Sequence, residues 1–255
     1  MNNLRIRELR FGRPKTRKTS AIVETYPTPM VVFNFEMDGL SVVKARKITF
    51  VNSLEYRELL KKKMEELPEV VALDYIYAAN KRIGTNFGIT YEASTFERFA
   101  NDANLLLDSC PFKTVVLDSL TGVSEAAIGL VGAKNPAALK DARHWAGQAG
   151  AKIREVVSCL YAINCQCVVI IAHEMVSENE TTKEVRVLPN IVSGQKETLG
   201  ALASQFIYAT TEMDNQGKPK FVVYTQPTGL VKGLGMRVGN IGKGVCGPAF
   251  EEIYG

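Results

Sequence analysis

The chain has 255 residues, of which 46% are hydrophobic and 23% charged, with a formal net charge of +4. This composition is typical of a folded domain and excludes disorder over most of the length. The longest apolar runs are far shorter than the roughly 20 residues of a membrane-spanning helix, and the polar, basic start is unlike a signal peptide. We therefore expect a single domain in the cytoplasm with no membrane partner. The five cysteines contain no C-x-x-C pair, which favours buried free thiols over a zinc site.

The first candidate site in chain order differs from a phosphate-binding loop at one position. Residues 11–20 read FGRPKTRKTS, and the pattern G-x-x-x-x-G-K-[ST] fits from Gly12 to Thr19 except that Arg17 replaces the second glycine. In such a loop Lys18 and the backbone amides hold phosphates, and the hydroxyl of Thr19 holds Mg²⁺. A weak strand before the loop and a short helix over residues 19–25 suit this chemistry. The candidate nucleotide-binding residues are Gly12, Arg13, Pro14, Lys15, Thr16, Arg17, Lys18, Thr19 and Ser20.

Basic side chains are concentrated at the start of the chain. Between residues 5 and 18 lysines and arginines recur throughout, and the only acid is Glu8. Such a segment attracts phosphate, either in a nucleotide or in a nucleic-acid backbone. The alternative interpretation is a solvated basic surface that has no partner.

The rest of the chain alternates between strand and helix patterns. Short apolar runs predict buried strands, and longer stretches with one apolar stripe predict helices. The strands are at 30–35, 112–119, 167–172, 206–210 and 220–226, with a strand or hairpin at 42–52, and the helices are at 54–67, from 95, and at 140–163. We interpret residues 54–91 as a helical insertion and residues 229–255 as a basic, glycine-rich C-terminal segment. The alternation predicts one α/β domain over residues 1–255, with a mainly parallel sheet and helices on both faces.

Polar side chains follow three of these strands and are expected to meet at the carboxyl edge of the sheet. Asp118 is placed to bind Mg²⁺ beside Thr19, and Glu36 is placed to activate water, a role for which Asp38 competes. His173 ends the most apolar strand and is placed to hydrogen-bond a γ-phosphate, with Glu174 placed to hold its ring. Each residue also has a structural interpretation, as an acid in a turn or a histidine bonded to a neighbouring loop. Their order along one chain favours the functional interpretation.

Over most of residues 9–240 the chain resembles the RecA-like P-loop ATPases. More narrowly, it resembles the phage-encoded members that include single-strand annealing proteins of recombination systems. The stretches that carry the resemblance are GRPKTRKTSA, VVFNFEMDG, FKTVVLDSLTGV, VVIIAHEMV and FVVYTQPTGLVKGLGMR.

The resemblance implies a RecA-like fold, ATP and Mg²⁺ as cofactors, and a defined set of catalytic residues. Lys18 and Thr19 correspond to the phosphate and Mg²⁺ ligands, and Asp118 corresponds to the Walker B acid. Glu36 matches the catalytic glutamate of the family, and His173 matches its polar sensor.

The same resemblance implies partners and a biological role. Single-stranded DNA and further copies of the chain are the implied partners, in phage recombination or annealing within the host-cell cytoplasm. Lys232 and Arg237 lie where such proteins place basic residues that reach the nucleotide of a neighbouring subunit.

Arg17 is the departure from the family pattern. The glycine it replaces adopts a backbone conformation that costs other residues on the order of 1–3 kcal/mol. We expect nucleotide binding to be retained and hydrolysis to be slow, because the other site residues are present. Two alternatives stay open: a hydrolysis-deficient nucleic-acid-binding or assembly protein on this fold, and a P-loop phosphotransferase with residues 54–91 as its lid.

Overall fold

The computed structural model describes residues 5–36, 39–75, 93–135, 142–178, 183–192, 198–231, 233–237, 239 and 244–255. Its strands are β1 (Ile6–Gly12), β2 (Met30–Asn34), β3 (Ile48–Phe50), β4 (Val70–Asp74), β5 (Thr114–Asp118), β6 (Cys167–Glu178), β7 (Val185–Pro189), β8 (Gln205–Met213), β9 (Pro219–Tyr224), β10 (Gly235–Met236) and β11 (Val245–Cys246). Its helices are α1 (Lys18–Thr25), α2 (Ser53–Leu59), α3 (Ala93–Asp108), α4 (Leu120–Lys134), α5 (Ala142–Ala162), α6 (Thr198–Leu202) and α7 (Phe250–Tyr254), with a 3₁₀ turn at Met64–Glu66.

One sheet organises the molecule, with the strand order β11-β9-β8-β1-β6-β5-β2-β4-β3. The strands from β8 to β3 run parallel, whereas β9, β10 and β11 join antiparallel at the β8 side. The predicted mainly parallel α/β sheet is therefore confirmed. The carboxyl ends of β1, β6, β5 and β2 are neighbours, as the sequence predicted for the candidate site.

Alternate residues of the buried strands supply two separate cores. Side chains such as Phe11, Phe33 and Leu117 pack with α3, α4 and α5 on one face. Side chains such as Val32 and Ile171 pack with α1 and α7 on the other face. The strands are buried on both faces, which is why they appear in the sequence as continuous apolar runs. Among the described helices, none combines the length and the apolar character needed to cross a membrane.

The segment predicted as a helical insertion differs from the structure in its described part. Helix α2 ends at Leu59, and β4 then enters the sheet between β2 and β3 as a fully integrated parallel strand. Four apolar residues at 70–73, buried in the sheet, do not show a periodicity that separates strand from helix. Residues 76–91 of the predicted insertion lie outside the described residues.

Two other elements were not predicted. Helix α4 packs between α3 and α5 and is buried on most sides, so it lacks the apolar stripe by which the other helices are recognised. Strand β6 continues past His173 to Glu178 and pairs with β7 in an antiparallel hairpin. That continuation is exposed on alternate residues, unlike the buried first half of the strand.

Candidate nucleotide-binding site

The loop between β1 and α1 has the backbone of a phosphate-binding loop at both of its key positions. Gly12 has φ 156°, and a Cβ there would lie 1.9 Å from the carbonyl oxygen of Ala209 on β8, so only glycine fits. Arg17 has φ 59° and ψ 23°, which is the left-handed conformation that the second glycine of the motif usually supplies. Lys15 also has positive φ, at 63°. The loop therefore keeps its shape despite the substitution.

The side chain of Arg17 contacts α1 and β9. Its Nη2 lies 2.9 Å from Oε2 of Glu24, which is in the last turn of α1. The central carbon of its guanidinium lies 5.6 Å from the ring centroid of Phe221 on β9. These contacts assign Arg17 to holding α1 against β9. The structure thus gives this arginine a structural role, where the sequence had left open a phosphate ligand.

Lys18, the first residue of α1, closes the loop with its amine. Its Nζ donates to the carbonyl oxygens of Gly12, at 2.9 Å, and Arg13, at 2.5 Å, and lies 3.4 Å from Oγ1 of Thr16. The side chain is buried, and this burial lowers the pKa of Lys18 to about 8, although the charges of Asp118 and Glu36 act in the opposite direction. A buried amine surrounded by loop carbonyls is suited to meet a phosphate group.

Thr19 and Asp118 meet as a hydroxyl and a carboxylate. The Oγ1 of Thr19 donates to Oδ2 of Asp118 at 2.5 Å. Asp118 is fully buried, and burial raises its pKa to about 6, with the charge of Glu36 adding to the rise and the Thr19 hydrogen bond opposing it. A Cβ on Gly39 would lie 3.0 Å from the same Oδ2, which is a tight contact, so glycine at this position leaves room for the carboxylate.

These two oxygen groups fit the chemistry of Mg²⁺. The ion prefers oxygen ligands and is usually bound by one or two protein groups together with phosphates and water. Within the described residues no group of three His, Cys, Asp or Glu side chains could hold a metal by itself. The structure brings Thr19 and Asp118 together, and they are the residues that would hold Mg²⁺ with a nucleotide.

Glu36 is held in place by two donors. Nε2 of His173 lies 2.9 Å from its Oε1, and the Ser119 hydroxyl donates to the same oxygen. Burial by itself would raise the pKa of Glu36, but the hydrogen bonds from His173 and Ser119 outweigh it and lower that pKa. Glu36 is thus an ionised carboxylate at neutral pH, located beside Asp118 at the carboxyl edge of the sheet.

His173 connects this carboxylate to the backbone around it. Its amide N–H donates to Oγ1 of Thr121, that hydroxyl donates to the carbonyl of Asn190, and the Asn190 amide donates back to the carbonyl of His173. The ring Nδ1 is buried, without a hydrogen-bond partner among the described residues. Glu36 therefore holds the His173 ring, and the hydrogen bonds with Thr121 and Asn190 hold the His173 backbone.

Glu174 does not orient the His173 ring, which corrects the role expected from its position next to it. Its carboxylate instead accepts from Nε of Arg13 at 2.9 Å and from the hydroxyl of Tyr208 at 2.7 Å. Successive residues of an extended strand point to opposite faces of the sheet, so the Glu174 side chain is directed away from the face that carries the His173 ring. Glu174 thereby ties the loop to β6 and β8.

The remaining predicted site residues lie in different environments. Thr16 is buried and donates to the carbonyl of Arg13, whereas Pro14 and Lys15 are exposed at the tip of the loop. Ser20 is buried in α1. Arg237 is exposed and lines a cavity of about 420 Å³ with Arg186, Phe206 and Gly200, away from the loop residues. Lys232 and Asp38 lie outside the described residues.

Three site residues were missed in the sequence. Ser119 follows the Walker B acid directly and could have been suspected from that position alone. Thr121 and Glu125 lie on α4, the helix that the sequence pattern did not reveal. Burial and the nearby charge of Glu36 raise the pKa of Glu125, which places its carboxylate close to the site.

Two arginines in the basic start of the chain are buried inside the fold. Arg10 and Glu8 form a fully buried ion pair on β1, with Nε 2.5 Å from Oε1. The guanidinium of Arg7 donates to the carbonyl oxygens of Tyr161 and Ile163. Neither arginine is available to attract phosphate from solvent. The sequence-based argument that this segment attracts nucleic acid is therefore weakened.

These features define the class of protein. A phosphate-binding loop follows a strand inside a mainly parallel sheet, and the loop threonine meets an acid at the end of a nearby strand. That arrangement is typical of P-loop NTPases. The chain belongs to a family of AAA domains, whose family model matches residues 5–233.

Comparisons with other proteins add a remote likeness. No curated protein matches the chain. Among solved structures, it is similar to a KaiC-like protein from the hyperthermophilic archaeon Pyrococcus horikoshii OT3, at 14% identity, over 86% of this chain and 78% of that chain, with a TM-score of 0.42. At this level of similarity nothing about function is carried over from that protein.

Proposed function

We propose that the protein binds ATP with Mg²⁺ and hydrolyses it slowly, with Glu36 as the general base. The observation that carries the proposal is the placement of an anchored carboxylate beside the Thr19–Asp118 pair and the amine of Lys18. Glu36 and Asp118 come from two adjacent strand ends, and Lys18 and Thr19 come from the start of α1 directly after the loop. They supply the phosphate contact, the Mg²⁺ ligands and the base that phosphoryl transfer to water requires.

Each side chain has a separate task in this proposal. Lys18 holds the phosphates, and Thr19 and Asp118 hold Mg²⁺, which when bound neutralises the charge that builds up on the phosphates. Both donors of Glu36 bind Oε1, so within the described part of the chain Oε2 is the oxygen that accepts a proton from water. His173 and Ser119 keep that oxygen directed at the reaction site.

The lowered pKa of Glu36 supports slow turnover. A general base is most effective when its pKa lies near the working pH, and a base with a lower pKa accepts a proton less readily. The hydrogen bonds from His173 and Ser119 that position the carboxylate also lower its pKa. These two hydrogen bonds thus position the Glu36 carboxylate and also make it a weaker base.

The decisive experiment compares Glu36→Gln with Lys18→Ala. We expect Glu36→Gln to bind ATP with Mg²⁺ as the wild type does, while phosphate release falls by about 10²–10⁴-fold because the base is lost. Lys18→Ala is expected to lose nucleotide binding itself. Unchanged phosphate release by Glu36→Gln would exclude Glu36 as the base. Binding without any release by the wild type would favour the hydrolysis-deficient alternative.

We also propose, from the family resemblance, that the protein acts on single-stranded DNA as a homo-oligomer in phage recombination or annealing. In such an assembly Lys232 and Arg237 would reach a neighbouring nucleotide, and the exposed side chain of Arg237 is compatible with that role. Stimulation of phosphate release by single-stranded DNA, together with loss of that stimulation in Arg237→Ala, is the expected result. Release that is indifferent to DNA would contradict this part of the proposal alone.

A further inference from the structure

The carbonyl group of Arg13 is the point at which the hydrogen bonds inside the phosphate-binding loop converge. Its oxygen accepts from Nζ of Lys18 at 2.5 Å and from Oγ1 of Thr16 at 2.8 Å. The residue before it, Gly12, lies so close to the backbone of Ala209 that no side chain fits there. The position of the Arg13 peptide therefore sets where the amine of Lys18 lies in the loop.

The side chain of Arg13 leaves the loop and binds a carboxylate on β6. Its Nε lies 2.9 Å from Oε1 of Glu174, and the other oxygen, Oε2, accepts from the hydroxyl of Tyr208 on β8 at 2.7 Å. Tyr208 lies opposite Phe11 of β1, and the centroids of their two rings are 5.2 Å apart. The loop is thus connected through one carboxylate to two strands of the sheet.

The burial of Glu174 distinguishes this pair from an ordinary surface ion pair. The side chain of Arg13 is 70% exposed, but that of Glu174 is only 9% exposed. Fully exposed ion pairs contribute little because water screens both charges, whereas a carboxylate removed from water needs its hydrogen-bond donors. The two oxygens of Glu174 bind Arg13 and Tyr208, so Glu174 acts on the loop and does not hold a phosphate, which a carboxylate would repel.

The second arginine of the loop forms an ion pair of the same length in a different place. Nη2 of Arg17 lies 2.9 Å from Oε2 of Glu24, which belongs to the helix that directly follows Arg17. That ion pair does not connect the loop to β6, whereas Arg13 and Glu174 are 161 positions apart in the chain. A comparison of the two pairs therefore separates the restraint on the loop from the loss of a charge.

We propose that Glu174 is a positioning residue for ATP binding and that it acts through Arg13. The pair holds the first half of the loop in place before the nucleotide binds, so that less conformational entropy is lost when the phosphates bind. Because Glu174 contacts the loop and not the reacting atoms, it affects affinity and leaves the hydrolytic step unchanged. The inference rests on the proposed ATP binding, which Lys18→Ala tests separately.

The test measures the Kd for ATP with Mg²⁺ by calorimetry, and kcat from phosphate release at saturating ATP. We expect Glu174→Gln to raise the Kd roughly 5–20-fold, between the effect of losing an exposed ion pair and that of losing a buried hydrogen bond to a charge, and to leave kcat unchanged. Arg13→Ala should also raise the Kd. The variant with both substitutions should bind no more weakly than Arg13→Ala, because both substitutions remove the same interaction.

Glu24→Gln is the matched control, because it removes an ion pair of the same length from the other arginine of the loop. Its Kd for ATP should equal that of the wild type. Arg13→Ala changes an exposed side chain of the loop, so its Kd decides the question even if Glu174→Gln does not fold.

The inference alone is overturned if the wild type binds ATP and Glu174→Gln binds it equally or more tightly, or if Arg13→Ala leaves the Kd unchanged. Effects of the two substitutions that simply add in the double variant, or an equal loss of affinity in Glu24→Gln, would also overturn it. A wild type that does not bind ATP would overturn both this inference and the proposed function.

Discussion

Thr19 donates a 2.5 Å hydrogen bond to Asp118, which lies 99 positions away in the sequence. The bond joins the first turn of α1 to the carboxyl end of β5. The pair that is expected to bind Mg²⁺ is therefore assembled by the fold itself. A cation held there by Thr19 and Asp118 would take the place of this hydrogen bond and would neutralise a buried carboxylate.

This relationship predicts a pH limit for Mg²⁺-dependent binding. Burial raises the pKa of Asp118 to about 6, so the carboxyl binds a proton below that pH, and Mg²⁺ requires the ionised form. The Mg²⁺-dependent part of ATP affinity should be constant above about pH 7 and fall up to tenfold per pH unit below pH 6. Titration with a fluorescent ATP analogue at pH 5, 6, 7 and 8, with Mg²⁺ and with EDTA, measures it. The same slope in Asp118→Asn would assign the effect to the nucleotide.

The lowered pKa of Lys18 predicts a second limit on ATP binding, at high pH. Its burial lowers the pKa to about 8, and only the ammonium form attracts phosphate strongly. ATP affinity should therefore decline above pH 8, by up to tenfold per pH unit, because binding must be accompanied by proton uptake. Proton uptake measured by calorimetry in two buffers of different ionisation enthalpy should grow from pH 7 to pH 9. Arg17→Ala is the control, because the Arg17 side chain pairs with Glu24, and its proton uptake should equal that of the wild type. The absence of proton uptake in the wild type at pH 9 would contradict the prediction.

The left-handed backbone conformation of Arg17 predicts a difference in stability between two variants at this position. Arg17→Gly and Arg17→Ala both lose the pair with Glu24, and they differ only in whether the residue tolerates φ 59°. The left-handed conformation costs a residue with Cβ roughly 1–2 kcal/mol, so Arg17→Gly should unfold with a free energy about 1 kcal/mol higher than that of Arg17→Ala. Urea denaturation of the two variants gives this difference. Equal stabilities would mean that residue 17 does not adopt the left-handed conformation.

The hydrogen bond of Tyr254 predicts that helix α7 contributes to the stability of the fold around β1. Its hydroxyl donates to Oε2 of Glu8, inside the buried cluster that also contains Arg10 and Tyr26. Tyr254→Phe removes a hydrogen bond to a buried charge and should lower the free energy of unfolding by about 2 kcal/mol. Chemical denaturation at pH 7 checks it.

Tyr56→Phe provides the comparison, because the Tyr56 hydroxyl is buried without a hydrogen-bond partner among the described residues. Removing a hydroxyl of that kind should leave the stability unchanged or raise it slightly. If both variants lose the same stability, the Tyr254 hydroxyl has no special role at Glu8.

Much of the architecture could be predicted because its signals are local. The apolar runs of β2, β5 and β6 are buried on both faces, so every residue in them is hydrophobic and the pattern does not depend on distant neighbours. Polar residues such as Asp118 and His173 follow these runs directly. In a parallel sheet that is enough to place them at one edge, near the loop.

Helix α4 and strand β4 show where local patterns fail. The helix is surrounded by α3, α5 and the sheet, so its outer surface carries no polar stripe, and β4 is too short an apolar run to distinguish from helix. Both elements are defined by what packs around them. With α4 unrecognised, Thr121 and Glu125 could not be assigned to the site.

The sequence by itself determined the class of fold, the loop and the order of the polar strand ends, since these follow from periodicity and glycine positions. Only the tertiary structure decided where the charges go: Arg10 to Glu8, Arg17 to Glu24, and His173 to Glu36 rather than to its neighbour Glu174. Partner choice depends on the side-chain distances that the folded chain sets and on the burial that makes a lone charge costly. No local pattern of residue types contains either quantity.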